Sequence, residues 1–341
     1  MTTRRNFIKQ AIAAGVASSI PYHLVAQEKH VQAFVDRKDI IRRTYGAVIP
    51  LNIPYLEDER IDYESLKAYV EYLVKNEART LLLTYGSSEY GSLCDDEIYE
   101  ITRVVAKTVA GRCNFVGASK CWTVDKTVDY INFAQKCGAT AVKVQADLFV
   151  TSLNEDTLLE YHRRICRKTD LPLWAYSTSN KLLPNTMAKI ADELPNVYAI
   201  KHDGEMMFQY YDMIHKAPDI LICSGGQMKT MLFGYRMGSK AYLCPIAPFL
   251  PKVANRFMSL LSSGDYDGAY GMVQAYETPL MQLADTVSWL NLIKSVLHLR
   301  GHFKTPFVRC PGIFSVNEKM KGDIAGVINK LVERAKNDGL V

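Results

Sequence analysis

A chain of 341 residues with 48% apolar and 23% charged residues has the composition of a soluble globular protein, long enough for one large domain or two ordinary ones. Its net charge of +5 is modest and is raised by Arg4, Arg5 and Lys9, so the balance gives no reason to expect a nucleic-acid partner.

The first residues read as a targeting segment. Thr3-Arg4-Arg5-Asn6-Phe7-Ile8-Lys9 leads into a mild apolar run, Ala11 to Ile20. The pattern resembles a twin-arginine export signal, which sends folded proteins across the bacterial inner membrane. The run is too short and too weakly apolar to span as a stable helix. Residues 1–26 are therefore expected to be an export signal, cleaved after Ala26, and the protein to be periplasmic with the export machinery as a partner. The alternative is a frayed basic N-terminus. The eight cysteines are scattered without a CxxC, mostly in apolar segments, where thiols are expected to be buried and inert.

From about residue 39, short apolar runs alternate with longer amphipathic segments. The predicted strands are Gly46–Ile49, Thr80–Thr84, Asn114–Ala118, Ala141–Gln145, Pro172–Tyr176, Val197–Lys201, Ile220–Ser224 and Ala241–Cys244. Between them the predicted helices are Tyr63–Asn76, Asp95–Val109, Val124–Cys137, Asn154–Lys168, Pro184–Glu193, Met206–Lys216 and Gln227–Met237. Asp62 and Pro184 mark helix starts, and Gly138 and Gly238 mark ends. Such alternation argues for a parallel sheet with helical crossovers. Eight units favour a closed (β/α)₈ TIM barrel over residues 27–250, and the lack of a GxGxxG after the first strand weakens a dinucleotide-binding sheet. Beyond Pro251 only helices are expected, at Asn255–Ser262, Tyr266–Thr286, Val287–Leu299 and Ile324–Lys336. They make residues 251–341 a C-terminal helical extension.

One stretch, Pro195 to Gly204, organises the chemistry. Its β-branched strand delivers Lys201 at its end. A buried ammonium is costly unless its pKa falls, and a neutral lysine amine is the nucleophile of Schiff-base enzymes. The alternative is a lysine that reaches solvent. In a barrel, chemistry sits where strands end, which puts Lys201 on the catalytic face. Tyr85 to Tyr90, Ser119-Lys120, Gln145-Ala146-Asp147, Tyr176-Ser177 and Ser224-Gly225-Gly226 share that face. The Gly86–Ser88 turn offers hydroxyls and N–H groups for a substrate carboxylate.

Gly46 to Pro50, Arg60-Ile61-Asp62, Tyr85 to Tyr90 with Leu93, Gly111-Arg112, Gly138-Ala139, Asp170-Leu171-Pro172, Tyr176, Pro195-Asn196-Val197, Ile200-Lys201 and Ser224-Gly225 together resemble the dihydrodipicolinate synthase/N-acetylneuraminate lyase family. The resemblance covers essentially the whole chain after the leader. It implies a (β/α)₈ barrel with a C-terminal helical part, assembled as a tetramer or dimer, that binds pyruvate or another 2-keto acid as an imine on Lys201. The protonated imine draws electrons from the adjacent carbon, so that a proton or a carbon–carbon bond at the next carbon can leave. The serine pair of the family's carboxylate loop matches Gly86 and Ser87, or, one residue on, Ser87 and Ser88. Ser224 and Gly225 complete the implied substrate contacts.

Two departures stand out. The tyrosine that relays protons in the loop after the fourth strand is matched by Phe149, which has no hydroxyl, and the turn His202-Asp203-Gly204 is a residue short. Tyr176 is then the expected proton-handling partner of Lys201. Tyr85, Lys120 and Asp147 are weaker candidates, and His202 should point to the opposite side of the sheet. The histidines form no paired metal-ligand motif and no cofactor is expected. Gly225 to Thr230 faintly resembles a phosphate loop with the wrong spacing, although a turn before a helix can still take an anion.

The reading is a periplasmic Schiff-base lyase, aldolase or dehydratase, for a pyruvate-like or sugar-derived 2-keto acid. A catalytically weakened keto-acid or sugar-acid binding protein is the alternative on the same barrel. A barrel hydrolase is third, having only Glu89 and Asp147 as strand-end carboxylates.

Overall fold

Eight short parallel strands close on one another in chain order, β1 (Gly46–Pro50), β2 (Thr80–Leu82), β3 (Asn114–Ala118), β4 (Ala141–Gln145), β5 (Leu173–Tyr176), β6 (Val197–His202), β7 (Leu221–Ser224) and β8 (Ala241–Leu243), with β8 paired back to β1. The structure is a computed structural model and describes residues 36–146, 155–176, 183–202, 207–309 and 316–341. Seven helices alternate with the strands as expected: α2 (Tyr63–Lys75), α3 (Asp95–Val109), α4 (Val124–Cys137), α5 (Glu155–Cys166), α6 (Pro184–Glu193), α7 (Met207–Lys216) and α8 (Met228–Met237), after an unexpected α1 (Arg37–Thr44). The fold is the predicted (β/α)₈ TIM barrel.

Both faces of each strand are covered, which is why the strands read as unbroken apolar runs. One face packs on the helices. The other fills the barrel with Val48, Leu82, Val116, Ala141, Trp174, Ala199, Leu221, Cys223 and Leu243. Register partners in neighbouring strands share a face. Lys143 pairs with Trp174, and Lys201 with Cys223, so both lysines point into the barrel. His202 pairs with Ser224 and faces outward.

The N-terminal helix carried no apolar period to betray it: only Ile40 and Thr44 are buried. Asp36 caps it, and Ile40 joins the barrel interior. Arg37 donates to the carbonyls of Ala191, Leu194 and Pro195 at 2.7, 2.5 and 3.0 Å, which satisfies backbone acceptors where α6 ends.

After β8 the chain is helical: α9 (Pro251–Ser263), α10 (Tyr266–Met272), a π-helical turn (Val273–Glu277), α11 (Thr278–Ala284), α12 (Trp289–Leu299) and α13 (Glu318–Asn337). The single helix expected over Tyr266–Thr286 is thus interrupted. Pro279 has no N–H for the carbonyl one turn back, and a wider turn absorbs the break. The last helix begins six residues before the predicted Ile324, because its first turns are exposed and carry no apolar period. Asn317 caps them, accepting from the Met320 N–H at 2.9 Å. The seven described cysteines are all free. Cys94 and Cys121 are exposed, against the expectation that the thiols are buried.

The loop after α12 seals against α2. The His302 ring lies 4.1 Å from the Tyr72 ring centre and 5.7 Å from that of Tyr69. Burial, reinforced by the Arg300 charge, lowers the His302 pKa to about 4. Neutral histidine is therefore favoured in the folded state. Its contribution is complete above pH 6.5 and is lost as pH falls from about 6.5 towards 4, because the unfolded chain takes up the proton first. His302→Phe is expected to reduce the acid-side slope of stability by at most about 1 kcal/mol per pH unit across that window, discounted for partial exposure. Thermal denaturation of both proteins at pH 7, 6, 5 and 4 measures it. Parallel curves would refute it.

Candidate active site

The strands' C-terminal ends and the loops beyond them surround a cavity of about 460 Å³. Its described walls include Lys201 and Tyr176, Thr84 to Ser87, Lys143, Gly225 to Gln227, Cys244 and, from the C-terminal helices, Met281 and Trp289. The size is that of a small-molecule site.

Lys201 stands at the end of β6, and its Nζ lies 5.1 Å from the centre of the Tyr176 ring, which rises from β5 alongside. Lys201 and Tyr176 both line the cavity. Ser87 and Gly225 also reach the cavity. The Gly225 N–H is used at 2.5 Å on the His202 carbonyl, which fixes the turn after β7 beside the turn after β6.

Ser88 and Ser224 require correction as substrate contacts. Ser88 is fully buried beneath the wall. Its hydroxyl donates to the Leu51 carbonyl at 2.5 Å and accepts from the Thr84 N–H at 3.0 Å, so it fastens the loop. Of the two possible matches to the carboxylate loop, the one through Gly86 and Ser87 faces the cavity. Ser224 is fully buried and follows His202 onto the outer face of the sheet, away from the cavity. His202 itself stacks on Tyr210 at 5.5 Å, as its strand position implied. Lys120 is held at 2.5 Å on the Leu93 carbonyl. Asp147, Phe149, Ser177, Asp203 and Gly204 lie outside the described residues.

Three features escaped the sequence reading. Lys143, 2% exposed, places its Nζ 4.4 Å from the other neighbour of Lys201, the Tyr176 ring centre. A lysine in the middle of the apolar run Ala141–Gln145 was its signal. Trp289 crosses from α12, and its indole N–H donates to the Ser87 hydroxyl at 3.3 Å. No local pattern announces such a return of the chain. Finally, Glu89, in the left-handed conformation at φ 52°, is buried in a 2.7 Å ion pair with Lys294 of α12, both side chains fully buried. Lys294 also donates to the Ile53 carbonyl. Burial lowers the Lys294 pKa to about 8, against the pull of Glu89. The Arg309 N–H donates to Glu89 at 2.8 Å, and its guanidinium donates to Glu97 and the Ser92 carbonyl. The loop of Ser87 and Glu89 is thus clamped by Lys294 of α12 and by Arg309 further along the chain.

The anion-binding turn of the sequence reading is already filled. Glu277, in the π-helical turn, accepts from the N–H groups of Met228 and Lys229, the latter at 3.0 Å, at the start of α8. Burial raises its pKa. Burial also pushes the Cys244 thiol up to about 12, so it stays protonated and is no nucleophile. Gln227, at φ 68°, holds a backbone conformation uncommon for a residue with a side chain, a strain that recurs at functional sites.

Trp289→Ala opens the wall over Ser87 and removes the hydrogen bond that orients its hydroxyl. A rise in KM of about tenfold, with a smaller change in kcat, is expected from the loss of one such contact. Steady-state kinetics with a keto-acid substrate decide it, and an unchanged KM would show that Ser87 needs no such support.

A family model described as the dihydrodipicolinate synthetase family matches residues 43–331. Among curated relatives, a "Probable 5-dehydro-4-deoxyglucarate dehydratase" of Rhizobium meliloti is 24% identical over 288 residues, covering 83% of this chain and 93% of the relative. A 4-hydroxy-tetrahydrodipicolinate synthase of Parabacteroides distasonis is 26% identical over 263 residues, covering 75% and 87%. Among solved structures, the dihydrodipicolinate synthase of Oceanobacillus iheyensis superposes with a TM-score of 0.78 at 17% identity, covering 87% of this chain and all of that one. A prophage protein of the same family from E. coli K12, solved in complex with pyruvate, gives 0.75 at 21% identity, covering 84% and 98%.

Proposed function

This chain belongs to the dihydrodipicolinate synthetase family, and on that premise we propose that it is a Schiff-base-forming lyase for a 2-keto acid, with a sugar-derived keto acid as its substrate class. The observation that carries the reading is Lys201, an amine at the end of β6 inside the cavity and beside the Tyr176 ring.

In this mechanism the Lys201 amine adds to the keto carbon, and the carbonyl oxygen leaves as water to give the protonated imine. The adjacent carbon then loses a proton and becomes an enamine. The enamine expels a hydroxyl one carbon further along, which is dehydration. Alternatively the imine releases a carbon–carbon bond, which is aldol cleavage. Dehydration is favoured here by the curated relatives named for acting on 5-dehydro-4-deoxyglucarate. Ser87, oriented by Trp289, holds the substrate carboxylate together with the backbone of the Gly86 turn. Tyr176, whose ring lies beside Lys201, is the residue we assign to proton handling at the imine.

Incubation with pyruvate and borohydride, read by intact mass, tests the imine. A single pyruvyl adduct mapped to Lys201 is expected. A folded protein that forms no adduct with pyruvate or with any member of a panel of sugar-derived keto acids would overturn the reading.

We also propose export through the twin-arginine route, supported by Arg4-Arg5 and the apolar run behind them. Replacing both arginines with lysine should hold the precursor in the cytoplasm, and normal export would refute it. A homo-oligomer is supported by Phe208 and Phe233, 90% and 62% exposed on the consecutive helices α7 and α8. Sedimentation velocity showing monomer alone at all concentrations would refute that.

A further inference from the structure

Gln227 lies in the cavity wall, in the turn after β7, and nothing in the imine chemistry above uses it. Its backbone holds φ 68° and ψ 150°, a region that glycine alone normally occupies. Gly225 and Gly226 stand immediately before it, so a third glycine would have made the turn without strain. The side chain does not cap the helix that follows. It makes no cap hydrogen bond, and Glu277 takes the N–H groups of Met228 and Lys229 instead. Nor is it a good packing residue. Its amide oxygen is buried and has no hydrogen-bond partner among the described residues, a penalty that an apolar side chain of similar size would not carry. Strain and an unpaired acceptor therefore fall on one residue, and local structure offsets neither.

The place of Gln227 in the ring gives the side chain a use. Ser87, in the loop after β2, and Lys201, at the end of β6, stand half the ring apart. On one side the wall between them passes the ends of β7, β8 and β1, with Gln227, Leu243, Cys244, Pro245 and Pro50 in it. Leu243 and the two prolines have no polar side chain. The Cys244 thiol is a weak partner that already accepts from the Tyr242 hydroxyl at 3.3 Å. The carboxamide of Gln227 offers donor and acceptor together, the pattern that matches a hydroxyl, and it carries no charge. Rotation about its last side-chain bond, a soft torsion, turns either end of the amide to a ligand.

We propose that Gln227 is a specificity-determining residue of this site: its carboxamide hydrogen-bonds a hydroxyl on the chain of a 2-keto acid beyond the reacting carbon, so that polyhydroxylated keto acids are held in preference to pyruvate. The proposal rests on the reading of this cavity as a keto-acid site and names the part of the substrate that this wall recognises. Glu277 is then the group that keeps the strained turn in place, by holding the two N–H groups next along the chain.

Borohydride trapping over a range of ligand concentrations, read by intact mass, gives a half-saturation concentration for pyruvate, which has no hydroxyl, and for 5-dehydro-4-deoxyglucarate, which has them. The ratio of the two is the preference. Gln227→Leu, similar in size and without the amide, is expected to lower that preference by about tenfold, the worth of one good hydrogen bond. Gln227→Gly, which also relieves the backbone, should lower it equally while melting no lower than the wild type. An unchanged preference in a folded Gln227→Leu protein overturns the proposal. So does a Gln227→Gly protein that melts well below the wild type, because the side chain would then be structural. Calorimetric titration with D-glucarate, a hydroxylated sugar acid without a keto group, needs no imine, and its Kd should rise about tenfold in Gln227→Leu. If that rise is seen while the wild type traps no keto acid, the role of Gln227 stands and the imine reading falls. A wild type that traps pyruvate but binds neither hydroxylated acid overturns the proposal and leaves the imine standing. A wild type that binds none of the three overturns both.

Discussion

Lys201→Ala is expected to reduce turnover of the keto-acid substrate by at least about 10⁴-fold while leaving the fold intact. The size follows from what is removed. Without the amine there is no covalent intermediate, and the carbanion at the adjacent carbon loses its electron sink. The remaining walls, Ser87 and Tyr176 among them, can still bind the acid, so KM should move far less than kcat. Lys201→Arg should be equally inactive, because a guanidinium keeps its proton and does not add to a carbonyl. Circular dichroism establishes the fold, and single-turnover rates establish the loss. An alanine protein within tenfold of the wild-type rate would exclude catalysis through an imine.

Breaking the buried pair of Glu89 and Lys294 should be the most damaging change away from the reacting atoms. Lys294→Met takes the ammonium from a fully buried carboxylate, which keeps the Arg309 N–H, in the loop that carries Ser87. Loss of one partner of such a pair costs about 3–5 kcal/mol. In a barrel of this size that corresponds to a fall in Tm of roughly 5–10 °C. Activity should fall with it, since Glu89 lies two residues from Ser87 and Lys294 five from Trp289 on α12. The double variant Glu89→Gln with Lys294→Met should recover most of the stability, because neither charge is then left alone. Denaturation of the two single variants and the double one gives the coupling energy. A Lys294→Met protein as stable as the wild type would show that the pair is dispensable.

The architecture was readable because each strand is buried on both faces and each long helix is half-buried, so apolar runs and amphipathic segments alternate without ambiguity. The lysine was readable for the same reason, as an ammonium at the end of an otherwise apolar strand. Where the reading went astray, the deciding contacts are distant in sequence. Ser87 and Ser88 are indistinguishable as letters. One faces the cavity, and the other reaches the Leu51 carbonyl 37 residues away. Trp289 and Glu277 belong to helices whose local pattern says only that one side is apolar, yet each reaches a barrel loop. Lys143 shows the converse. The periodicity placed it correctly inside a buried strand, but it went unremarked because it lies in the middle of the run rather than at its end.

Glu277 has a consequence for what the enzyme can accept. The start of the helix after the seventh strand is where barrels of this architecture commonly grip a phosphoryl group. Here the protein has installed its own counterion at that spot, with the carboxylate on the N–H groups of Met228 and Lys229. A phosphate ester would find no open donors at this helix start. The N–H groups that would otherwise be open to an anion at this helix start are therefore already satisfied from within the chain.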